Sequence, residues 1–381
     1  MIKVSRTELK LRQKAFAQSR LRSSEEFYTM KQWQLVKARF FRNRLAVVGL
    51  VMLIVIYFIA AFCGFLAPYD PVSARADLRY LPPMKVRLVH DGKFTGPFVY
   101  GLTEGYDPVT YKPMYVEDPE EINPVKWFVK GDSYTVLGFI PGNVHLFGVE
   151  RGSIHLLGTD MLGRDLLSRC LIGAQISCTV GFIGVGISFI LGIILGGISG
   201  YFGGMIDTVM QRIIDFIISL PTLPLWMALA AAVPATWPVV RVYFTIVIIL
   251  SLVGWTGLAR VVRSKFISLK NEEYVKAARI AGTSSLKIIM RHMVPMFTSH
   301  LIASITLSIP GMILGETSLS FLGIGLRPPA VSWGVLLSDA QNIRNVALYP
   351  WTLFPCIFII FTVIGFNFLG DGLRDAADPY A

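Results

Sequence analysis

Charge is scarce in this sequence. Asp, Glu, Lys and Arg together make up 16% of its 381 residues, whereas soluble domains carry about a quarter. Hydrophobic residues reach 53%, and the mean hydropathy is +0.56. Too little charge is present to cover a water-exposed surface. The composition therefore excludes an ordinary soluble domain and predicts a protein that uses the lipid bilayer as its solvent.

Cysteine is scarce as well, and its four copies form no recognisable motif. They lie in or beside apolar segments, with no Cys-x-x-Cys and no histidine cluster nearby. This pattern predicts small buried hydrophobic side chains and no metal site. The four are Cys63, Cys170, Cys178 and Cys356. The polar stretch 68–155 contains none of them, so a disulfide framework is excluded there.

A phosphate-binding loop is missing. The pattern Gly-x-x-x-x-Gly-Lys-Ser/Thr, which cradles nucleotide phosphates, does not occur, and the Gly196-Gly197 and Gly203-Gly204 pairs have no lysine beside them. No Ser/His/Asp set rises above chance either. We therefore predict that the chain is not an enzyme, hydrolyses no ATP and binds no cofactor of its own.

The net charge of +11 is concentrated beside apolar sequence. Residues 1–44 carry 12 Lys/Arg against 3 Asp/Glu, directly before an apolar run that begins at Leu45. A basic flank beside a span is the positive-inside pattern, so we interpret this stretch as a cytoplasmic basic arm and exclude nucleic-acid binding. The apolar run starts too late and is too long for a cleavable signal peptide, and we expect it to remain as an anchor.

Six apolar segments are long enough to cross a bilayer, because a spanning helix needs about 20 residues. They are Leu45–Ala67 and, approximately, Ala174–Gly200, Met205–Val233, Val239–Leu258, Val294–Ser318 and Pro350–Gly370. Six spans place both termini in the cytoplasm. The loop 259–293 then lies inside, with 8 Lys/Arg against 2 acids, and 68–155 lies outside, with 9 Lys/Arg against 11 acids. The parity of the spans and the charge count agree.

The outer stretch 68–155 differs from the rest of the chain. It is rich in Pro, Gly, Tyr and Asp, and patches such as Tyr134–Phe139 are typical of short strands between turns. We predict an all-α polytopic membrane protein with a small β or mixed extracytoplasmic insert after the first helix. Its parts are the arm 1–44, the helix 45–67, the insert 68–155 and a five-helix core, 156–381.

The inner loop predicts a short helix held outside the membrane. Glu272 and Glu273 are acids at a helix start, Ala277 and Ala278 are strong helix formers, and Gly282 is typical of a helix end. Ser284 or the next serine then caps a second helix. Small residues on one face let another protein approach closely. A helix that only binds lipid headgroups would not need this spacing of Ala-Ala, Gly and Pro.

This loop resembles the EAA loop of ABC importer permeases, although Lys276 stands where that motif has its glutamate. It is more similar still to the peptide-permease branch, which has Tyr-Val-x-Ala-Ala-Arg-x-x-Gly-x-Ser followed by Arg-His-x-x-Pro. The matching positions are Tyr274, Val275, Ala277, Ala278, Arg279, Gly282, Ser284, Arg291, His292 and Pro295. By this resemblance the chain has the type I importer permease fold, and these residues, together with Glu273, form a coupling helix that sits in a cleft of an ATPase subunit.

A second motif precedes the second span. It resembles the His-x-Leu-Gly-Thr-Asp-x-x-Gly-Arg-Asp pattern of the dipeptide, oligopeptide and nickel permeases, with His155, Gly158, Asp160, Gly163, Arg164 and Asp165. The two glycines indicate turns, and the charged residues can pair at the outer membrane surface. One histidine with two aspartates is a weak metal pattern, so we favour the structural role. The ending Asp371–Asp375 with Asp378-Pro379 also resembles this subgroup.

Three residues are candidates for the lining of a translocation path. Glu316 stands near the outer end of the fifth span, where an acid either faces the path or makes a hydrogen bond at the helix end. Asp215 and Ser219 stand in the third span beside Pro221 and Pro224, which either open a path-lining kink or, as we favour, only bend the helix.

The resemblance implies an ATP-driven importer. The chain would form half of a pathway for oligopeptides or similar solutes, together with a second permease subunit. Two ATPase subunits, which hold the ATP and magnesium, and an extracytoplasmic solute-binding protein would complete it in a bacterial or archaeal inner membrane. Two alternatives are an ion-coupled secondary transporter, which predicts inverted repeats that we do not find, and a sensor or scaffold built on the insert.

Overall fold

The computed structural model describes residues 32–106, 113–136, 138 and 140–377. Most of the basic arm 1–44 and the Asp378-Pro379 ending lie outside this range. Five described helices are long and apolar enough to cross a membrane, and a bent pair brings the number to six. Four short 3₁₀ turns, Ala76–Leu78, Val294–Phe297, Ser338–Gln341 and Pro350–Leu353, connect other elements. The prediction of a polytopic, mostly helical chain is confirmed.

The first spanning helix packs along the last. Helix α1 (Gln32–Arg42) leads into α2 (Arg44–Ala61), whose start is capped by the Asn43 side chain, and a single turn, α3 (Cys63–Leu66), follows. A methyl group added at Gly49 would lie 2.7 Å from the carbonyl oxygen of Gly365 in the last helix, α13 (Phe354–Ala377). Because glycine has no side chain, these two backbones approach closely.

The centre of the bundle is a pair of long helices, α4 (Leu166–Phe202) and α7 (Val239–Leu269). Helix α4 begins at the Asp165 cap, eight residues before the apolar segment that predicted it, and the mixed stretch 166–173 belongs to the same helix. At about 1.5 Å per residue, its 37 residues extend for roughly 55 Å. The helix therefore reaches beyond a bilayer core of about 30 Å and marks the two ends of the bundle.

The third predicted span is sharply bent. Two helices stand there, α5 (Gly204–Ser219) and α6 (Thr222–Ala231), with axes bent by 87°. The break falls at Leu220-Pro221, because proline has no N–H to donate and disfavours a helical conformation in the residue before it. The sequence indicated a kink at these prolines but not its size.

The insert is a four-stranded antiparallel meander in the order β1-β2-β3-β4. Its strands are β1 (Arg87–His90), β2 (Lys93–Tyr106), β3 (Pro113–Val136) and β4 (Ile140–Val149). A small core forms beneath it from Leu81, Met84, Val99 and Ile154. This β insert after the first helix confirms the predicted fold class.

The remaining elements complete the bundle. After α7 come α8 (Glu273–Ile280), α9 (Ser285–Ile288), a π-helical turn (Ile289–Met293) and α10 (Thr298–Phe321). Two short helices, α11 (Trp333–Leu337) and α12 (Ile343–Leu348), precede α13. The main apolar core joins α2, α4, α7, α10 and α13, with the fully buried Trp333 of α11 against it.

Candidate functional site

The segment between α7 and α10, residues 270–297, lies at the end of the bundle opposite the insert. The insert adjoins the start of α4, whereas the Arg279 guanidinium of this segment lies 5.3 Å from the ring of Tyr201, at the other end of α4. We call residues 270–297 the connecting segment. It contains the predicted coupling residues, and the structure brings them into one compact unit.

One face of the connecting segment is anchored in an apolar cluster. Val275 of α8 is completely buried, together with Ile288 and Met293, against Val262 and Phe266 of α7. Tyr274 packs at the edge of this cluster, and its burial raises the pKa of the phenol. Because α8 is fixed to the end of α7, a force on α8 is transmitted to a membrane helix.

Helix α8 ends in a motif that needs a glycine. Gly282 has φ of +73°, its N–H donates to the Arg279 carbonyl, and the Thr283 N–H donates to the Ala278 carbonyl. This is the Schellman pattern, in which the residue after the cap adopts the left-handed conformation. No atom in the described part of the chain lies within 4 Å of a methyl group added at Gly282. Glycine is required here by the backbone angle and not by a close contact within this chain.

The opposite face of the connecting segment is exposed and apolar. The exposed fractions of the Ile280, Leu286 and Met290 side chains are 88%, 67% and 52%. Ala277 is exposed beside them, and Ala278 is half-buried. An exposed apolar patch at a helix end, with small residues next to it, is a surface that can fit against another protein.

The other predicted coupling residues have diverse surroundings. Glu273 is in the first turn of α8, where an acid suits the helix dipole. Ser284 occupies the predicted N-cap position of α9, although its side chain makes no capping hydrogen bond in the described structure. Arg291 is exposed and His292 half-buried in the π-helical turn, and Pro295 follows in a 3₁₀ turn.

The His155–Asp165 motif forms a compact set of hydrogen-bonded turns at the start of α4. The Asp160 carboxylate accepts from the backbone of Arg164, from the Arg164 side chain at 2.7 Å, and from Arg169. The His155 ring lies 2.9 Å from the Asp165 carboxylate, which also caps α4 through the Ser168 N–H.

The two glycines of this motif sit in turns. Gly158 and Gly163 have φ of +76° and +72°. A methyl group added at Gly163 would lie 1.7 Å from the Arg75 carbonyl oxygen. Within the described residues, no group of three or more His, Cys, Asp or Glu side chains that could hold a metal is present. The geometry is that of a structural joint between the insert and the bundle.

The structure does not bring the three path candidates together. Asp215 is exposed and pairs with Arg260 of α7, and the Ser219 hydroxyl donates to the Phe216 carbonyl. Glu316 is completely buried within the chain and accepts from the hydroxyls of Ser320 and Ser332 at 2.7 Å. Glu316 therefore faces no open path in this conformation, because α11 covers it, and the hydrogen-bonding alternative describes it.

A cavity of roughly 530 Å³ lies instead between α4, α6, α7 and α10. No charged side chain occurs among its described lining residues, and those with polar side chains include Ser188, Thr222, Trp226, Ser304 and Ser308. The sequence did not reveal this cavity. Small residues such as Gly254 and Gly311 leave room for it between the helices.

Sequence reasoning also missed the partners of two membrane acids. A carboxylate in a membrane helix is costly unless it is paired, faces the bundle or reaches toward water. Asp207 and Asp215 each pair with an arginine of α7, Arg263 and Arg260 respectively. The two arginines are three residues apart, about one helical turn, so they lie on the same face of α7. This spacing was the sequence signal that could have revealed the pairs.

These features define a class: a polytopic membrane protein with an anchored, exposed connecting segment at one end of its bundle. Comparison with known proteins makes the class specific. The profile of the family described as the binding-protein-dependent transport system inner membrane component matches residues 190–380. A second profile, the N-terminal transmembrane domain of oligopeptide transport permease C, matches residues 31–83.

Individual relatives agree with these profiles. The chain is 39% identical over 226 residues to the oligopeptide transport system permease protein OppC of Bacillus subtilis, which covers 59% of this chain and 72% of the relative. It is 43% identical to OppC of Haemophilus influenzae over 59% of this chain and 70% of the relative. The dipeptide transport system permease protein DppC of Bacillus subtilis is 40% identical, over 59% of this chain and 68% of the relative. The chain belongs to the family of binding-protein-dependent transport system inner membrane components.

Proposed function

We propose that this chain is one of two permease subunits of an ATP-driven importer for oligopeptides or similar small solutes. The family of inner membrane components and the relatives named for oligopeptide and dipeptide transport support this function. The charge-free cavity between α4, α6, α7 and α10 suits a cargo of variable charge, because it presents hydroxyl groups and apolar surface without a fixed ion. A binding protein outside the cell would deliver this cargo.

The observation that carries the proposal is the two-sided connecting segment. Val275 is buried against α7, while Ile280 on the same helix is 88% exposed. An ATPase subunit that holds the exposed face would move α8 and, through the buried face, the end of α7. A change of contacts at this end then shifts a bundle between two arrangements. ATP and magnesium would bind to the two partner ATPase subunits and not to this chain.

The orientation follows from the same assignment. The connecting segment, within the basic loop 259–293, would lie in the cytoplasm with both chain termini, and the insert within 68–155 would lie outside. The five-helix core of 156–381 would pair with the second permease subunit. Coupling residues such as Glu273, Arg291 and His292 would line the rim of the ATPase contact, where exposed charges set the register more than the affinity.

Substitution of the exposed apolar residue tests the coupling surface. The variant Ile280→Asp should lower copurification of the ATPase subunits and reduce uptake by reconstituted vesicles at least tenfold. Phe94→Asp is the matched control, because Phe94 is 78% exposed on the insert at the other end of the molecule. Full uptake by Ile280→Asp, or uptake that persists after the ATPase subunits are omitted, would contradict the importer and favour a secondary transporter.

A further inference from the structure

The β3–β4 hairpin of the insert ends in sequence without charge. Residues 133–149 contain no Asp, Glu, Lys or Arg. The β1–β2 turn, in contrast, consists of Asp91 and Gly92 followed by Lys93. Turns that face water are usually polar, so the end of the β3–β4 hairpin is not built for water.

The hairpin contacts the chain that follows α2 at several points. The Asp70 N–H donates to the Asp132 carboxylate at 2.9 Å, and the His145 ring contacts the Ala67 carbonyl. Next, a methyl group added at Gly64 would lie 2.5 Å from the Tyr134 ring. These contacts place the hairpin alongside residues 64–70. The hairpin therefore lies beside the outer end of the first span.

Large apolar side chains stand exposed on this same hairpin. The exposed fractions of Trp127, Phe128 and Ile140 are 63%, 66% and 51%. The ring centre of Phe128 lies 6.3 Å from that of Phe65 in α3, immediately beyond the end of α2. Phe128 also has φ of +58°, an unfavourable backbone angle for a bulky residue. Such strain persists where the surrounding structure holds the side chain in a required position.

The exposed surface continues onto the first membrane helix. Phe58 and Phe62, which are 53% and 39% exposed, lie with ring centres 4.8 Å apart and lead toward Phe65. We propose that the β3–β4 hairpin rests in the lipid headgroup and upper acyl region of the outer leaflet beside α2, with Ile140 near its end and Trp127 and Phe128 farther back along β3. The insert is thereby held to the bilayer as well as to the bundle.

The depth of this contact follows from backbone chemistry. Strands with unpaired edges do not enter the hydrocarbon core, because no water is present there to satisfy their N–H and C=O groups. Aromatic residues, however, are enriched at the membrane–water interface. The hairpin therefore lies at the interface and does not span. The proposal depends on α2 being a membrane helix and is independent of the cargo and of ATPase coupling.

A spin label at residue 140 tests the lipid contact. The variant Ile140→Cys is labelled in the full chain, assembled with its partner subunits in lipid nanodiscs, and its accessibility to oxygen and to a water-soluble nickel chelate is measured. The matched control is Phe94→Cys at the charged β1–β2 hairpin. The unsubstituted protein gives the background, since three native cysteines are buried and Cys356 is half-buried.

The label at 140 should show an oxygen-to-nickel accessibility ratio several-fold above that at 94. Equal ratios would place the hairpin in water and overturn the proposal. Low accessibility to both reagents would mean that a protein partner covers the hairpin, which overturns it as well. In a second measurement, a label at the exposed Thr135 should become several-fold more accessible to nickel when Ile140→Lys is added, but not when Phe94→Lys is added. An unchanged label at 135 would count against the proposal.

Discussion

Asp207 and Arg263 form a two-pronged ion pair between α5 and α7, with N–O distances of 2.5 and 2.6 Å. The Ser199 hydroxyl of α4 donates to the same carboxylate at 2.5 Å. Three helices therefore meet at one acid. The neighbouring pair of Asp215 and Arg260 has more exposed side chains, 52% and 43%, against 17% and 30% for Asp207 and Arg263.

This difference predicts unequal coupling energies. A double-mutant cycle on Asp207→Ala and Arg263→Ala should give about 1–3 kcal/mol, the range of residues in one network. The same cycle on Asp215 and Arg260 should give below about 1 kcal/mol, because solvent screens exposed pairs. Thermal unfolding in detergent, followed with a thiol-reactive dye that reports the buried Cys170 and Cys178, measures both. Equal coupling would contradict the three-helix junction.

Gly282 should matter for coupling more than for stability. The variant Gly282→Ala forces a methyl group onto a residue with φ of +73°, a backbone cost of about 1–2 kcal/mol, and loosens the end of α8. Gly323→Ala is the matched control, since Gly323 has the same φ and open space around it. We expect similar melting temperatures, but only Gly282→Ala should lower uptake per ATP hydrolysed. A comparable loss in both variants would remove the special role of α8.

A comparison of alanine variants at Gly163 and Gly92 separates the effect of backbone strain from that of a steric clash. Gly163→Ala combines a left-handed φ of +72° with a contact of 1.7 Å to the Arg75 carbonyl. Gly92→Ala has a φ of +77° but no described neighbour within 4 Å. The first variant should lower the melting temperature markedly or prevent folding, whereas the second should leave the bundle unchanged. Thermal unfolding followed with the thiol-reactive dye compares the two variants. Similar melting curves would show that the turns around Asp160 can repack around the added methyl group.

Two glycines on α4 test helix packing. A methyl group at Gly196 would lie 2.4 Å from the Ala259 carbonyl of α7, whereas one at Gly186 meets no described atom within 4 Å. Gly196→Ala should separate α4 from α7 and lower the melting temperature. Gly186→Ala should be neutral or slightly stabilising, because alanine favours helices. If both variants behave alike, the close approach of these helices contributes little to stability.

Hydrophobic pattern and turn chemistry predicted much of this fold. Runs of apolar residues identified the positions of the spans, and Gly282 was expected to end α8, as it does. Among the glycines of α4, Gly196 and Gly200 pack closely against α7, but Gly186 does not. These predictions succeeded because they depend on properties of neighbouring residues.

Predictions that depended on tertiary contacts were less successful. The sequence showed Glu316 near the end of a span, but not that α11 would cover it with Ser332. Pro221 indicated a kink, but not the 87° angle, since α6 also contacts α7 and α10, which are distant in sequence. The exposed face of the connecting segment was anticipated from its small residues, whereas Ile280, its most exposed apolar side chain, belonged to no motif.

The elbow at Leu220-Pro221 has a mechanical consequence. At about 1.5 Å per residue, the two arms of 16 and 10 residues are roughly 24 and 15 Å long. One arm is fastened by Asp207, and the other carries Trp226 along the cavity wall. Proline has no N–H to lose, so a small swing of the second arm breaks no hydrogen bond at Pro221. The second arm can therefore pivot and change the width of the cavity while the first arm stays fixed.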